Sequence, residues 1–314
     1  MRTMVGPLPL PFRSLVPLIR CLPRGRFRAA YALCRVLPPR FVTRLPRKLG
    51  GLAFVCDTAD VVSRTAFAGS WEPTQTLLIS KILQPGMTFV DIGAQWGYFT
   101  LIAAARVGPY GSVLSLEPHA RLFGALRDNV ELNRARQVTP LPVAAGATTG
   151  YQELVAYDEG TGNFGGSWLR PGPPSAAAMQ APTGERIVEV RTLDDLAREH
   201  EMDMIDFVKI DVEGAEGAVV HGMRDLLSHT RVQRLLIEVH GEYLERCGSS
   251  LKTMYADLRS AGYRGLSVRE DLPTVRAVAY GRRRHTRGLL RALDPRTPLA
   301  AISHQLWLAP GATT

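Results

Sequence analysis

Four ionisable residues crowd into eight positions in the run Lys209-Ile-Asp211-Val-Glu213-Gly-Ala-Glu216. They close a stretch, residues 205–210, that is apolar apart from Asp206 and Lys209. Continuous rather than alternating apolarity predicts a strand buried on both faces of a parallel sheet. The charges then fall at the C-terminal edge of that strand, where open α/β sheets bind ligands, and charges seldom gather at a buried edge without partners. A helix dipole accounts for Glu216. It accounts neither for Lys209 inside the strand nor for Asp211. The next predicted strand, 235–239, leads to Glu238 and His240, which alternation points to one side. If the two strands are neighbours, Asp211, Glu213, Glu238 and His240 converge. A hydroxyl is a poor nucleophile until a base takes its proton, and His240 is the candidate whose ordinary pKa lies near neutrality. Asp211 would orient the reacting groups and Glu213 would bind acceptor hydroxyls. The same carboxylates could hold a divalent cation, but no spacing specifies one, and no metal is assigned.

A second constellation lies earlier, in Asp91-Ile-Gly93-Ala-Gln95-Trp-Gly97-Tyr98. It spans the passage from a predicted strand, 87–91, into a predicted helix, 97–106. Glycine there permits a tight turn and close approach of the backbone to a ligand. The helix start offers unpaired N–H donors. Twenty residues beyond Gly97 stands Glu117, followed by Pro118, at the exit of the predicted strand 112–116. A carboxylate at that place can accept both hydroxyls of a ribose. The pattern is D-x-G-x-x-x-G and not the pyrophosphate fingerprint G-x-G-x-x-G. A leading carboxylate at Asp91 suits the ammonium of a methionine moiety and would sit badly beside a pyrophosphate. Both features favour S-adenosylmethionine over a dinucleotide.

The elements that position these residues alternate from residue 70 onward. Helices are predicted at 119–133, 192–201, 215–227 and 251–261, the last stopping at Gly262. Further strands are predicted at 138–143, 151–157, 263–268, 275–280 and 304–308. Residues 160–184 read as a Gly/Pro/Ser/Ala-rich loop, and 282–296 as an exposed basic insertion. Repeated strand–helix alternation implies an α/β, Rossmann-like, doubly wound and mostly parallel sheet.

Charge is distributed unevenly over the 314 residues. Of 38 Lys and Arg, eleven lie in residues 1–50, which contain no Asp or Glu; the remaining 27 face 29 acidic residues. The body is therefore near neutral, which argues against nucleic acid as its partner, and the net charge of +9 belongs to an appendage. Residues 1–70 read as a basic extension or helical cap and 71–314 as the catalytic domain. Pro7, Pro9, Pro11 and Arg13 break any signal-peptide core. An anionic membrane surface, an organelle transit signal and a docked cap all remain open for this segment. No apolar stretch reaches membrane-span length. Four scattered cysteines, without CxxC spacing, fit a reducing, cytoplasmic setting with peripheral membrane contact left open. No feature sets an oligomeric state.

Taken together these residues resemble the FkbM-type methyltransferase family. The pieces occur in order: Trp71-Glu72-Pro73, the turn from Asp91 to Gly97, Glu117-Pro118, Asn129 with Asn133, Asn163-Phe-Gly165-Gly166-Ser167, Thr192-Leu-Asp194-Asp195, and the run from Lys209 to Glu216. The resemblance implies a class I methyltransferase fold, S-adenosylmethionine as donor, and O-methylation, often of sugars or natural-product intermediates. It carries Glu72, Asp91, Gly93, Gly97, Glu117 and Asp211 to cofactor positions, with Gln95, Tyr98 and Pro118 beside them. Gln95 stands where the family usually has Asn, which adopts left-handed geometry more readily. The competing readings are a nucleic-acid methyltransferase, kept open by the arginines of residues 1–50, and a protein that binds the cofactor without turnover. Against the first, the fourth strand exit lacks an Asn/Asp-Pro-Pro-aromatic motif and carries carboxylates that repel phosphate.

Overall fold

The structure is a computed structural model describing residues 5–155, 165–172, 174–175, 187–293 and 302–314. Its N-terminal part runs α1 (Leu10–Arg13), α2 (Leu15–Cys21), α3 (Arg26–Cys34), β1 (Arg40–Arg44), β2 (Ala53–Asp57) and α4 (Val61–Phe67). The catalytic core then begins with α5 (Pro73–Ile82), β3 (Thr88–Ile92), α6 (Tyr98–Val107), β4 (Ser112–Leu116), α7 (Ala120–Leu132) and β5 (Val138–Leu141). Four short strands follow, β6 (Ala144–Ala145), β7 (Gly150–Val155), β8 (Trp168–Leu169) and β9 (Ile187–Arg191), which form a separate small sheet. After α8 (Leu193–Glu199) come β10 (Phe207–Ile210), α9 (Glu216–His221), α10 (Arg224–Ser228) and β11 (Arg234–His240). The chain ends with α11 (Gly241–Arg246), α12 (Leu251–Ser260), β12 (Arg264–Val268), α13 (Leu272–Ala279), β13 (Leu290–Ala292) and β14 (Ile302–Leu308).

The main sheet has the order β13-β12-β14-β11-β10-β3-β4-β5. The five strands from β5 to β11 are parallel, and β14 enters antiparallel between β11 and β12. Strand order reverses between β3 and β10, so the crevice outside their C-terminal ends is where such a sheet binds ligands. The continuous apolar runs follow from this architecture. Phe89, Val113, Phe207 and Leu236 face one core, whereas Val90, Leu114, Val208 and Leu235 face the other. Each such side chain, taken fully out of water, contributes ~1.5–3 kcal/mol.

Three expectations change. Residues 275–279 are helical, inside α13, with Tyr280 as its C-cap, because the Asp271 side chain accepts the Thr274 N–H as an N-cap and Pro273 occupies the first turn. The basic stretch 282–296 is not wholly an exposed insertion: β13 lies within it and pairs with β12, while residues 294–296 fall outside the described residues. The helix predicted over 215–227 is two helices, α9 and α10. The break falls at Gly222, where an added Cβ would lie 2.0 Å from the Gly146 carbonyl oxygen. Of the loop 160–184, Asn163 and Phe164 among others lie outside the described residues.

Residues 5–68 pack onto the core. Leu45, Leu49, Phe54 and Val62 join the cluster that contains Leu126 and Val130 of α7. Two asparagines make the seam: Asn129 accepts the Val55 N–H at 2.8 Å and Asn133 accepts the Ala53 N–H at 2.8 Å. The Asn129 amide also donates to the Trp96 carbonyl at 2.8 Å, tying this cap to the turn after β3. Among the described residues no helix is long and apolar enough to cross a membrane.

Candidate active site

The turn from β3 into α6 is drawn against the exit of β10. Gly93 has φ 80°, and a Cβ there would lie 1.9 Å from the Asp211 carbonyl oxygen, so no side chain fits. Gln95 is left-handed at φ 51°, a conformation that costs a non-glycine residue about 1–3 kcal/mol. In return its N–H points at Glu117, donating to Oε2 at 2.8 Å, while the His119 N–H donates to Oε1 at 2.9 Å. The Glu117 carboxylate is thus fixed by main chain, with a second lone pair left on each oxygen. Burial pushes its pKa up to about 7 against these two hydrogen bonds. It lines a cleft of about 530 Å³, open mouth included, with apolar walls from Leu116, Leu122, Val143, Ala144, Leu154 and Leu169. Gly93, Gln95, Pro118, Asp211 and Glu213 line the same cleft.

The other residues assigned to the cofactor do not line it. Asp91 is fully buried; Oδ2 accepts the Thr100 hydroxyl at 2.7 Å, and Oδ1 has no hydrogen-bond partner. Burial pushes its pKa up, with the Lys209 charge opposing. Gly97 is favoured by its left-handed φ of 80°, and a Cβ there would also crowd Leu126 Cδ1 at 2.7 Å. The Tyr98 hydroxyl accepts the Trp71 N–H at 3.2 Å, which steadies the turn carrying Glu72. Glu72 itself, at φ 36°, belongs to the neighbouring ionisable cluster.

That cluster is built from four strands and helix starts. Lys209 is buried; its Nζ donates to Asp211 Oδ2 at 3.0 Å and sits 4.9 Å over the Phe99 ring. On β11, His240 Nδ1 lies 2.6 Å from Glu216 Oε1. Its Nε2 is 3.5 Å from Glu213 Oε2 and 3.7 Å from Glu238 Oε1. Antiparallel register sets His304 of β14 opposite Glu238. There Nε2 is 3.0 Å from Glu238 Oε2 and 3.8 Å from Glu72 Oε2, and Nδ1 is 2.8 Å from Glu270 Oε1. Gln75 donates to the same Glu270 oxygen at 2.6 Å. Glu238 therefore joins two imidazoles.

Burial lowers the affinity of both imidazoles for a proton, but the surrounding carboxylates outweigh it. His240 is pushed up to about 9 by Glu216, Glu213 and Asp211, and His304 rises well above its ordinary value. This corrects the expectation of a near-neutral imidazole at His240. At pH 7 roughly one molecule in a hundred carries it as a free base. Asp211 goes the other way: despite burial, Lys209 and His240 hold its carboxyl below the usual range. Burial pushes Glu213 up to about 7 and Glu72 up to about 8. Glu213 has φ 48°, so three of the six non-glycine positive-φ residues among those described sit at this site. The triads Glu72–Glu238–His304 and Asp211–Glu238–His240 each bring three ligand atoms within 4.8 Å of one another, a donor set able to hold a divalent cation.

Comparison with known families decides the class. The Methyltransferase FkbM domain matches residues 91–264, more than half of the chain, including the cleft and the cluster residues from Lys209 to His240 but not Glu72, Gln75, Glu270 or His304. The chain belongs to the FkbM methyltransferase family. It is 27% identical over 208 residues to 31-O-demethyl-FK506 methyltransferase FkbM of Streptomyces tacrolimicus, covering 60% of this chain and 77% of that one. Methyltransferase 1 of Beauveria bassiana is 29% identical over 146 residues, covering 43% and 58%. The crystal structure of Methyltransferase FkbM from Methylobacillus flagellatus aligns over 90% of this chain and 59% of that one, at 16% identity and TM-score 0.41. This FkbM-family chain has the class I methyltransferase fold, and its methyl donor is S-adenosylmethionine. The cleft fits that donor: Glu117 offers acceptors for ribose hydroxyls, the apolar walls suit a purine, and the bare Gly93 admits close approach.

Sequence reading missed His304, Glu270 and Gln75, and the walls Val143, Ala144, Leu154 and Leu169. A histidine followed by glutamine inside an otherwise apolar terminal strand was the one signal for His304. The wall residues are ordinary apolar types with no signal of their own.

Proposed function

We propose that this FkbM-family enzyme methylates a hydroxyl of a small-molecule or glycan acceptor, with Glu213 taking the proton. One observation carries the reading: Glu213 lines the cofactor cleft and also lies 3.5 Å from the His240 imidazole. Bound donor supplies an electrophilic sulfonium methyl. The acceptor hydroxyl must lose its proton as it approaches in line. A carboxylate raised to about 7 is a stronger base than an ordinary one and is still substantially ionised at neutral pH. His240, held at Nδ1 by the buried Glu216, keeps a positive charge beside Glu213 and offsets the burial of its ionised form. Asp211, fixed by Lys209, orients the acceptor. Carboxyl groups at Glu72, Glu213 and Glu238 offer partners to several hydroxyls, and the charge on Asp211 and ionised Glu213 would repel a phosphodiester.

The test is methyl transfer from radiolabelled donor to a panel of polyols, oligosaccharides, hydroxylated natural products, RNA and DNA. An O-methyl ether survives mild alkali, whereas a methyl ester is hydrolysed. An alkali-labile product, or label confined to the nucleic acids, overturns the proposal.

A further inference from the structure

The two basic stretches that lie far apart in sequence meet in the fold. Lys48 from the N-terminal cap, Lys81 at the end of α5, Arg106 of α6, and Arg283 and Arg284 after α13 line one cavity of about 950 Å³, open mouth included. No Asp or Glu among the described residues lines it, and it shares no lining residue with the cofactor cleft. Among the described residues none of these five cations has a carboxylate partner within ion-pair distance. Where they bond at all, it is to main-chain carbonyls: Arg106 to Lys48 at 2.6 Å, Arg283 to Arg287 at 3.2 Å and Arg284 to Gly281 at 3.1 Å. The Arg106 Nε is buried without a partner.

A sixth cation stands close by. Arg26 is 5% exposed, its guanidinium stacked 4.7 Å from the Phe27 ring centroid and 5.0 Å from that of Tyr280. Among the described residues its Nε and Nη2 have no hydrogen-bond partner. It is near enough to Lys48 that, after burial, its charge and that of Arg284 hold the Lys48 pKa below the usual range. Elsewhere the same chain pairs its arginines closely, as in Arg191–Glu199 at 2.6 Å and Arg224–Asp257 at 2.9 Å. Crowded cations with unused donors are costly unless an anion joins them. Guanidinium forks match phosphate oxygens in pairs, and ammonium groups add point charge.

We propose that this cavity binds a phosphate-bearing group, carried either by a soluble phosphorylated ligand or by the headgroup of an anionic lipid.

The test uses the full chain, the variant Arg283→Glu/Arg284→Glu, and a charge-matched control, Arg134→Glu/Arg136→Glu, at two exposed arginines outside the cavity. Calorimetric titration with inorganic pyrophosphate should give one site per chain, weakened at least about tenfold in the cavity variant and unchanged in the control. Sedimentation with phosphatidylglycerol-containing vesicles, against pure phosphatidylcholine, runs beside it. Vesicle binding lost only in the cavity variant assigns the lipid source, and pyrophosphate binding without vesicle binding assigns the soluble one. Absence of both in the wild type, or equal loss in both variants, overturns the proposal. S-adenosylhomocysteine binding, read in every protein, reports that each is folded.

Discussion

The cofactor cleft and the ionisable cluster share Asp211 and Glu213 yet are held by different forces. In the cleft the key carboxylate, Glu117, is clamped by two main-chain N–H groups, and apolar side chains close the walls. Across Asp211 the fixing is done chiefly between side chains, Lys209 on Asp211, Glu216 on His240, and Glu238 and Glu270 on His304, with the Gly214 and His240 N–H groups also donating to Glu216. Main-chain donors cannot titrate, so the position of the Glu117 carboxyl is set by groups of constant charge even though the carboxyl itself, pushed up to about 7, does titrate. In the cluster each member sets the protonation of the next, and changing one charge resets the others. A methyltransferase needs both behaviours: a rigid seat for the donor, and a proton acceptor whose affinity is tuned by its surroundings.

The sharpest test of this division is Glu213→Gln. If proton acceptance belongs to the cluster and donor binding to the cleft, turnover should fall ~10²–10⁴-fold. S-adenosylhomocysteine affinity, measured separately by calorimetry, should change by no more than about threefold. Full activity in Glu213→Gln together with a loss of that size in His240→Ala would return the base to the imidazole.

Gly93→Ala attacks the rigid side. The new Cβ would meet the Asp211 carbonyl at 1.9 Å, and φ 80° strains any side chain. Destabilisation of about 2–4 kcal/mol in urea unfolding is expected from overpacking and backbone strain together. Cofactor binding should be lost with it. A variant that unfolds at the wild-type midpoint and still binds would show that the turn can yield.

The same division explains what could be read before the structure. Gly93, Glu117 and the 205–210 strand were legible because their signals are local: a turn that needs glycine, a carboxylate one strand later, and apolarity on both faces of β10. His304, Glu270 and Gln75 were not, because they reach Glu238 only through the antiparallel insertion of β14 and the packing of α5. Alternation placed Glu238 and His240 on one side, but not the buried Glu216 that holds His240 as a cation. The helical pattern at 275–279 was misread as strand because Val275 and Val278 are β-branched, and the cap at Asp271 overrides that preference.

A smaller effect separates the donor's seat from the charges next to it. Glu117→Ala should weaken S-adenosylhomocysteine binding by ~1.5–3 kcal/mol, the range for charge-assisted hydrogen bonds. Because the partners are a buried carboxylate and neutral hydroxyls, the loss should be the same at low and high salt. Unchanged affinity in a folded Glu117→Ala protein would remove Glu117 from the donor's site.

The smallest effect is the pH dependence of stability, to which Glu117 of the cleft contributes up to about 7 and the cluster contributes above it. His240 is pushed up to about 9 in the folded protein, against an ordinary 6.5. The folded state therefore holds this proton more tightly, so its stabilisation is fully present below 6.5 and is lost as pH rises through 9. Glu213 and Glu72, raised to about 7 and about 8, act in the same direction from 4.5 upward, and His304, raised well above its ordinary value, does so through pH 8–9, so it is the comparison with a variant at Glu216 that isolates His240. The side chain is 3% exposed, so solvent screening is slight, but neighbouring carboxylates readjust as it titrates. The net effect should be on the order of 1–2 kcal/mol. Glu216→Gln removes the charge that holds Nδ1, so His240 should titrate lower. The variant's stability curve, from urea midpoints between pH 6 and 9.5, should then be flatter than the wild type's. Slopes are compared rather than absolute stabilities, because losing a buried ion pair lowers the whole curve. Parallel curves would mean that His240 is not held as a cation by Glu216, and the imidazole would again be available as the base.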